Sequence, residues 1–171
     1  MSTRLTRAIV IALLILAIIG CDQASKQAAR THLAGRGTVD VVGSYFVMVY
    51  VENEGAFLSL GARLPGPVRM AIFGILPFAA LVIVVVAMLR SRSLSWLLLA
   101  GLSCIAGGGF GNLTDRLFHG GRVSDFLNFG IGSVRTGILN VADLAITTGC
   151  VLLLLAPSGR KPGAGEERPP Q

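Results

Sequence analysis

Runs of apolar residues separated by short charged stretches constrain this chain more than any other feature. Arg4 and Arg7 precede an uncharged run from Ala8 to Cys21, which Asp22 to Ala29 can continue as helix. Further apolar runs cover Val68–Leu89, Leu94–Leu113 and Ile138–Ala156. About 20 apolar residues in a helix cross roughly 30 Å of hydrocarbon, so these runs are of membrane-spanning length. Charged residues make up 14% of the chain, against about 25% in soluble domains, and the mean hydropathy is +0.71. The expected fold class is therefore an all-α polytopic membrane protein. Its four transmembrane helices are expected at about 8–29, 68–89, 94–113 and 138–156. A chain of 171 residues suits one domain, here 1–156. Residues 157–171 are rich in Pro, Gly and charge and predict a disordered tail.

Between the first two runs, residues 38–42 and 45–51 are β-branched and aromatic with Gly43 between them. They predict two short strands joined by a turn, a small β element within about 31–65. Pro77 predicts a kink in the second span, which membrane helices tolerate when neighbours satisfy the freed backbone. The third span ends in Gly107, Gly108, Gly109 and Gly111, small residues that permit close helix contact. Thr114–Gly137 reads as a glycine-rich loop.

Basic residues orient the chain. Segments 1–7, 90–93 and 157–171 hold 7 basic residues in 26 positions, whereas segments 22–69 and 114–136 hold 8 in 71. The denser set belongs in the cytoplasm, which puts both termini inside and Thr38, Ser59 and Gly121 outside. The polar motifs of the chain then all fall at the outer rim. Ionisable groups there are costly unless paired or wetted, so they mark a site.

Several chemistries are poorly supported. The net charge of +6 forms no single basic face and no aromatic-interleaved patch, which argues against nucleic acid. Cys21, Cys104 and Cys150 all lie in apolar segments and suit neither a disulfide framework nor a metal site. His32 and His119 are far apart and no HExxH occurs, so neither a metal nor any other cofactor is expected. Ser124 precedes an Asp without a nucleophile motif and reads as a plain loop serine. Ile18-Ile19-Gly20-Cys21 resembles a lipobox, so a lipidated envelope protein is one alternative. A small proton-coupled transporter is another, though it would need polar residues spread through the bilayer depth.

What remains is carboxylates with amides and an arginine. Asn112, Asp115 and Arg116 stand at i, i+3 and i+4 and share one helix face, as do Asn140 and Asp143. Two carboxylates sharing a proton can activate water, one as base and one as acid. Asp22 and Asp115 have cations close by in sequence, Lys26 and Arg116, with Lys26 a second candidate to neutralise Asp115, and equally suit helix caps or ion pairs. Asp125 and Asp143 have the fewest local partners. Asp115 remains the competitor for the pairing with Asp143.

Five motifs in order, 22–26 (Asp-Gln-Ala-Ser-Lys), 53–56 (Asn-Glu-Gly-Ala), 111–116 (Gly-Asn-Leu-Thr-Asp-Arg), 123–126 (Val-Ser-Asp-Phe) and 140–143 (Asn-Val-Ala-Asp), resemble those of the bacterial lipoprotein signal peptidases. The resemblance covers roughly residues 5–156. It implies a four-helix aspartic endopeptidase of the inner membrane, which cuts prolipoproteins before their diacylglyceryl-modified cysteine. Asp125 and Asp143 would be the catalytic pair. Asn53, Gly55, Asn112, Arg116, Asn140 and Ala142 would bind substrate or shape the site, with Asp22, Lys26 and Asp115 in support. Implied partners are prolipoprotein substrates and membrane lipid, with the enzyme a monomer. The chain departs from the family pattern at Gly137-Ile138-Leu139 and at Phe57-Leu58.

Overall fold

The computed structural model describes residues 3–55, 61 and 63–156; Phe57, Leu58, Ser59 and the 157–171 tail lie outside the described residues. Helix α1 runs from Thr3 to His32. At 1.5 Å per residue it is about 45 Å long, well beyond the hydrocarbon thickness. Its last turns carry Asp22, Lys26 and Arg30, spaced four apart on one face. Cys21 lies within this unbroken helix.

Helix α2 spans Gly66–Arg90. It contains a π turn at Ala71–Ile75, immediately before Pro77 in the α-helical continuation Leu76–Arg90. Proline has no N–H to donate and its ring crowds the preceding turn. The widened turn is the local form of the irregularity expected at Pro77. Helix α3, Trp96–Phe118, is capped by the Ser95 hydroxyl, which accepts from Leu98 N. It runs five residues past the expected end of the third span. Helix α4, Val141–Leu155, is shorter than the expected fourth span, because Asn140 caps it and Ile138-Leu139 are not helical. By length and composition, α1, α2 and α3 can each cross a membrane, while α4 is a shorter apolar helix.

The expected loop at 114–137 is the largest departure. After α3, Gly120 and Gly121 turn the chain at φ of 64° and 83°, a region that favours glycine. Val123–Ile131 is then a strand, β3, followed by a short β4 at Val134–Arg135. With β1 (Val39–Val42) and β2 (Phe46–Asn53) they form one antiparallel sheet in the order β1-β2-β3-β4. Strand β2 pairs Phe46 with Phe129 and Asn53 with Val123, with a bulge between Met48 and Val51. Residues 123–128 are buried in unbroken succession, so the polar–apolar alternation that signals a half-buried strand is absent. The chain is thus mostly helical with a small antiparallel sheet, as expected, but the sheet draws on 123–135 as well as on the expected strands.

Two clusters form the interior. Ile11, Ile15, Met88, Leu99 and Ala106 pack between the helices, and Ala29, Leu33, Phe126 and Leu127 pack under the sheet. Outside them, Leu13, Leu16, Ile75, Phe78, Ile83 and Leu154 are exposed. Such a girdle is what helices show to lipid rather than to water.

The glycine cluster makes α3 the central helix. A Cβ at Gly107 would lie 2.8 Å from Ile18 of α1, and one at Gly109 would lie 2.7 Å from Leu81 of α2. A Cβ at Gly108 would strike the Ala142 carbonyl oxygen of α4. Three adjacent positions thus let three helices approach one backbone. Gly108→Ala should push α4 off α3 and cost about 1–3 kcal/mol. The check is a lowered melting temperature in detergent, with Gly20→Ala, which meets nothing within 4 Å, as the control.

Candidate active site

The last turns of α1, the end of α3 and the start of α4 meet beneath the sheet around a buried ion network. Lys26 is fully buried, its Nζ 2.8 Å from Asp22 Oδ2 and 3.6 Å from Asp115 Oδ2. Asp22 and Asp115 are also fully buried. A charge held in that way needs partners on every side, and each group has them. Asp22 Oδ1 accepts from Ala142 N at 2.9 Å, in the first turn of α4, where a carboxylate also meets the positive end of the helix dipole. Gly111 faces this carboxylate: a Cβ there would lie 2.6 Å from Asp22 Oδ2.

The sequence suggested Arg116 and Lys26 as neutralisers of Asp115; the structure keeps Lys26 and puts Arg30 in place of Arg116. Asp115 pairs with Lys26 and with Arg30, whose NH2 lies 2.8 Å from Oδ1, while its Oδ2 accepts from Ser124 N at 2.8 Å. Adjacent residues on a helix point about 100° apart, so Arg116 faces elsewhere and donates to Gly55 O at 2.8 Å. Its Nε is buried and has no hydrogen-bond partner among the described residues.

Above the network, asparagines relay its geometry to two carboxylates. Asn112 Oδ1 accepts from Lys26 Nζ at 2.8 Å and from Asn140 Nδ2 at 3.1 Å. An ammonium has no acceptor, so Lys26 decides which way this amide faces. The other end, Nδ2, is thereby turned to Asp143 Oδ1 at 3.0 Å. Asn140 caps α4 in a reciprocal box: its Oδ1 accepts from Asp143 N, and Asp143 Oδ2 accepts from Asn140 N. Asp143 therefore sits in the first turn of α4 rather than inside the span. The Asn140 Nδ2 also donates to Asp125 Oδ1 at 2.6 Å, and Asn53 Nδ2 donates to Asp125 Oδ2 at 3.1 Å. One residue thus touches both aspartates.

Asp125 and Asp143 line one cavity of about 180 Å³ with Asn53, Gly55, Asn112, Arg116 and Asn140. Of the residues picked from the sequence, Ala142 stands behind it, fully buried against α3 and bonded to Asp22. Asp22, Lys26 and Asp115 form the layer beneath. Burial pushes the Asp125 carboxyl up to about 6 and the nearby Asp143 carboxylate adds to the rise; the Asn53 and Asn140 donors act against it.

Arg30, Gln23 and Ser124 were not anticipated. Arg30 Nε donates to Ser124 Oγ at 3.0 Å, and Gln23 Nε2 donates to Gly111 O at 3.0 Å. Ser124, read as a plain loop serine, is buried between Arg30 and Tyr50. Arg30 was discoverable, since it continues the four-residue spacing of Asp22 and Lys26. Among the described residues no group of three or more His, Cys, Asp or Glu is placed to hold a metal ion.

Lys26→Met should leave two buried carboxylates short of a cation and cost about 3–5 kcal/mol. A lowered melting temperature in detergent checks the stability. Activity should fall further than the residual folded fraction explains, because the Asn112 amide loses the partner that orients it.

The chain resembles known proteins along most of its length. The sequence profile of the family described as signal peptidase (SPase) II matches residues 14–157. A lipoprotein signal peptidase of Azoarcus sp. (strain BH72) is 37% identical over 158 residues, 90% of this chain and 86% of that protein. Lipoprotein signal peptidases of Dichelobacter nodosus and Yersinia pseudotuberculosis are 34% and 36% identical, over 82% and 80% of this chain and 88% and 79% of those proteins. Two structures titled as a bacterial membrane enzyme, solved in meso at 2.3 and 1.9 Å, share the fold with TM-scores of 0.74 and 0.73. Their sequence identities are 24% and 23%, covering 85% of this chain and 85% and 90% of theirs. Matched over 144 of its 171 residues, this membrane chain belongs to the signal peptidase II family, a family of proteases.

Proposed function

We propose that the chain removes signal peptides from prolipoproteins, cutting before the diacylglyceryl-modified cysteine, with Asp125 and Asp143 as an aspartic pair. Membership of the signal peptidase II family and the names of its relatives support the substrate class. The observation that carries the chemical assignment is that one side chain, Asn140, binds both carboxylates at the wall of one cavity. Asp115, the competing partner, lies beneath that cavity, fully buried and paired with Lys26 and Arg30.

In this reading water sits between the two carboxyls. Asp143 takes a proton from water as its oxygen attacks the scissile carbonyl carbon, and Asp125 gives its proton to the carbonyl oxygen. Asp125 suits the acid because it holds its proton up to about pH 6. Collapse of the tetrahedral diol breaks the C–N bond. The proton held by Asp143 goes to the departing cysteine nitrogen, and Asp125 recovers its own. Asn112 and Asn140 hold Asp143, while Asn53 and Asn140 hold Asp125. With both ends of its amide engaged, Asn112 acts as a positioning residue rather than a substrate donor. Arg116 lines the cavity and would place positive charge beside a substrate carbonyl, and Gly55 stands at the wall just past the end of β2.

The same reading gives a monomeric, four-span protein of the bacterial inner membrane. Its peptidase domain is 1–156 and its termini, with the 157–171 tail, lie on the cytoplasmic side. The sheet and the aspartates stand at one end of the helices. Arg4, Arg7, Arg90 and Arg92 stand at the other, the distribution that favours a cytoplasmic location. A cysteine introduced at Ser91 should resist labelling from outside intact cells, and one at Gly121 should label; reaction of the first from outside would refute this topology.

Asp125→Asn and Asp143→Asn should each lower prolipoprotein cleavage in membranes by at least about a thousandfold while the protein stays folded, as loss of an essential acid or base demands. Substantial turnover by Asp125→Asn, with none by folded Asp115→Asn, would overturn the pairing. Stability should carry the mark of the raised carboxyl. Folded Asp125 keeps its proton to about pH 6, whereas the unfolded chain loses it near 3.8. Between those values the folded state binds more protons, so stability relative to Asp125→Asn should fall as pH rises through this window and level off above it. Paired melting curves from pH 3.5 to 8 check the sign.

A further inference from the structure

At the end of the bundle opposite the aspartates, the start of α1, the end of α2 and the start of α3 enclose a cavity of about 660 Å³. That is ample for a small-molecule headgroup, since ligand pockets run to roughly 300–1,000 Å³. Arg4, Arg7 and Arg92 stand around it, and its inner wall is apolar, with Ile11 and Met88 each only 2% exposed. Trp96, half exposed, closes one side.

The charge here is one-sided. The sequence has no Asp or Glu before Asp22, between Glu54 and Asp115, or between Asp143 and Glu166. The start of α1 and the turn between α2 and α3 therefore carry arginine without a carboxylate. Arg7 is held in place: its guanidinium donates to Arg92 O at 3.2 Å and Leu94 O at 2.6 Å and lies 5.3 Å over the Trp96 ring. Carbonyls and an indole orient that cation without neutralising it. Arg4 and Arg92 are exposed beside it.

We propose that this cavity binds the phosphate-bearing headgroup of an anionic phospholipid. The arginines would hold the phosphodiester, which accepts guanidinium donors well, and the apolar wall would take the first carbons of an acyl chain. The site lies among lipid-facing helices, so its ligand arrives along the membrane. It does not depend on how the aspartates work, and it binds lipid as a fixed partner rather than as substrate.

Trp96 is the only tryptophan in the chain, so its fluorescence reports this cavity alone. The full chain in mixed micelles would be titrated with brominated phosphatidylglycerol or brominated phosphatidylcholine of the same acyl chains. Bromine quenches the indole on contact. Phosphatidylglycerol should quench at a mole fraction lower by one to two orders of magnitude, and each arginine removed should weaken that preference by about fivefold. The variants are Arg4→Gln, Arg92→Gln and the pair, with melting temperature as the check on folding; should the pair fail to fold, the two single variants decide. Equal quenching by both lipids, or a preference that survives in the folded variants, would overturn the proposal. Relief of quenching by inorganic phosphate, but not by chloride at equal ionic strength, would make it a free-phosphate site and overturn the lipid assignment.

Discussion

The buried ammonium of Lys26 is the point on which the rest of the structure depends. It joins Asp22 on its own helix to Asp115 and Asn112 on α3, and Asp22 in turn holds the first turn of α4. Three helices are therefore tied at one charge. Taking these ions out of water is expensive, and their mutual attraction offsets the cost only because each has several close partners. The return is geometric. A charge network tolerates few arrangements, so it sets the register of three apolar helices that could otherwise slide along one another.

That register carries upward to the carboxylates. Lys26 orients Asn112, Asn112 meets Asp143, and Asn140 joins Asp143 to Asp125. Each step uses a side chain whose donors and acceptors are distinguishable, so the chain of contacts has a direction. Asp143 gains from a second source: its own capping box pins the carboxylate to the start of α4. Asp125 is held from the other side, by a strand, and its burial keeps a proton on it well above the usual range. A pair supported from a helix on one side and a sheet on the other can differ in environment while sharing a cavity. That difference is what acid and base roles require.

The two ends of the bundle are built on opposite principles. At the aspartate end Lys26, Asp22, Asp115 and Arg30 lie within 4 Å of counter-ions. At the other end arginines collect with no carboxylate near them in sequence. The first arrangement gives precise geometry within the protein. The second leaves charge to be satisfied from outside, by water, by the potential across the membrane or by lipid phosphate.

The sequence by itself determined the membrane class, the places of the helices, and which polar residues share a face. These depend on local rules: run length against bilayer thickness, and the 3.6-residue period that aligns Asn112, Asp115 and Arg116. It also picked out every polar residue of the cavity wall: Asn53, Asn112, Arg116, Asp125, Asn140 and Asp143. Tertiary structure decided who meets whom. Beside Lys26, Asp115 takes Arg30 instead of its neighbour Arg116, because the partner depends on which helix face lies opposite. Strand β3 hid in a stretch that reads as loop, since Ser124, Asp125 and Asn128 are polar yet buried, which erases the period-2 pattern. Nor could the run of glycines say that Gly107, Gly108 and Gly109 face three different helices. Small residues announce close contact, but the identity of the contact belongs to the packing, which no local period encodes.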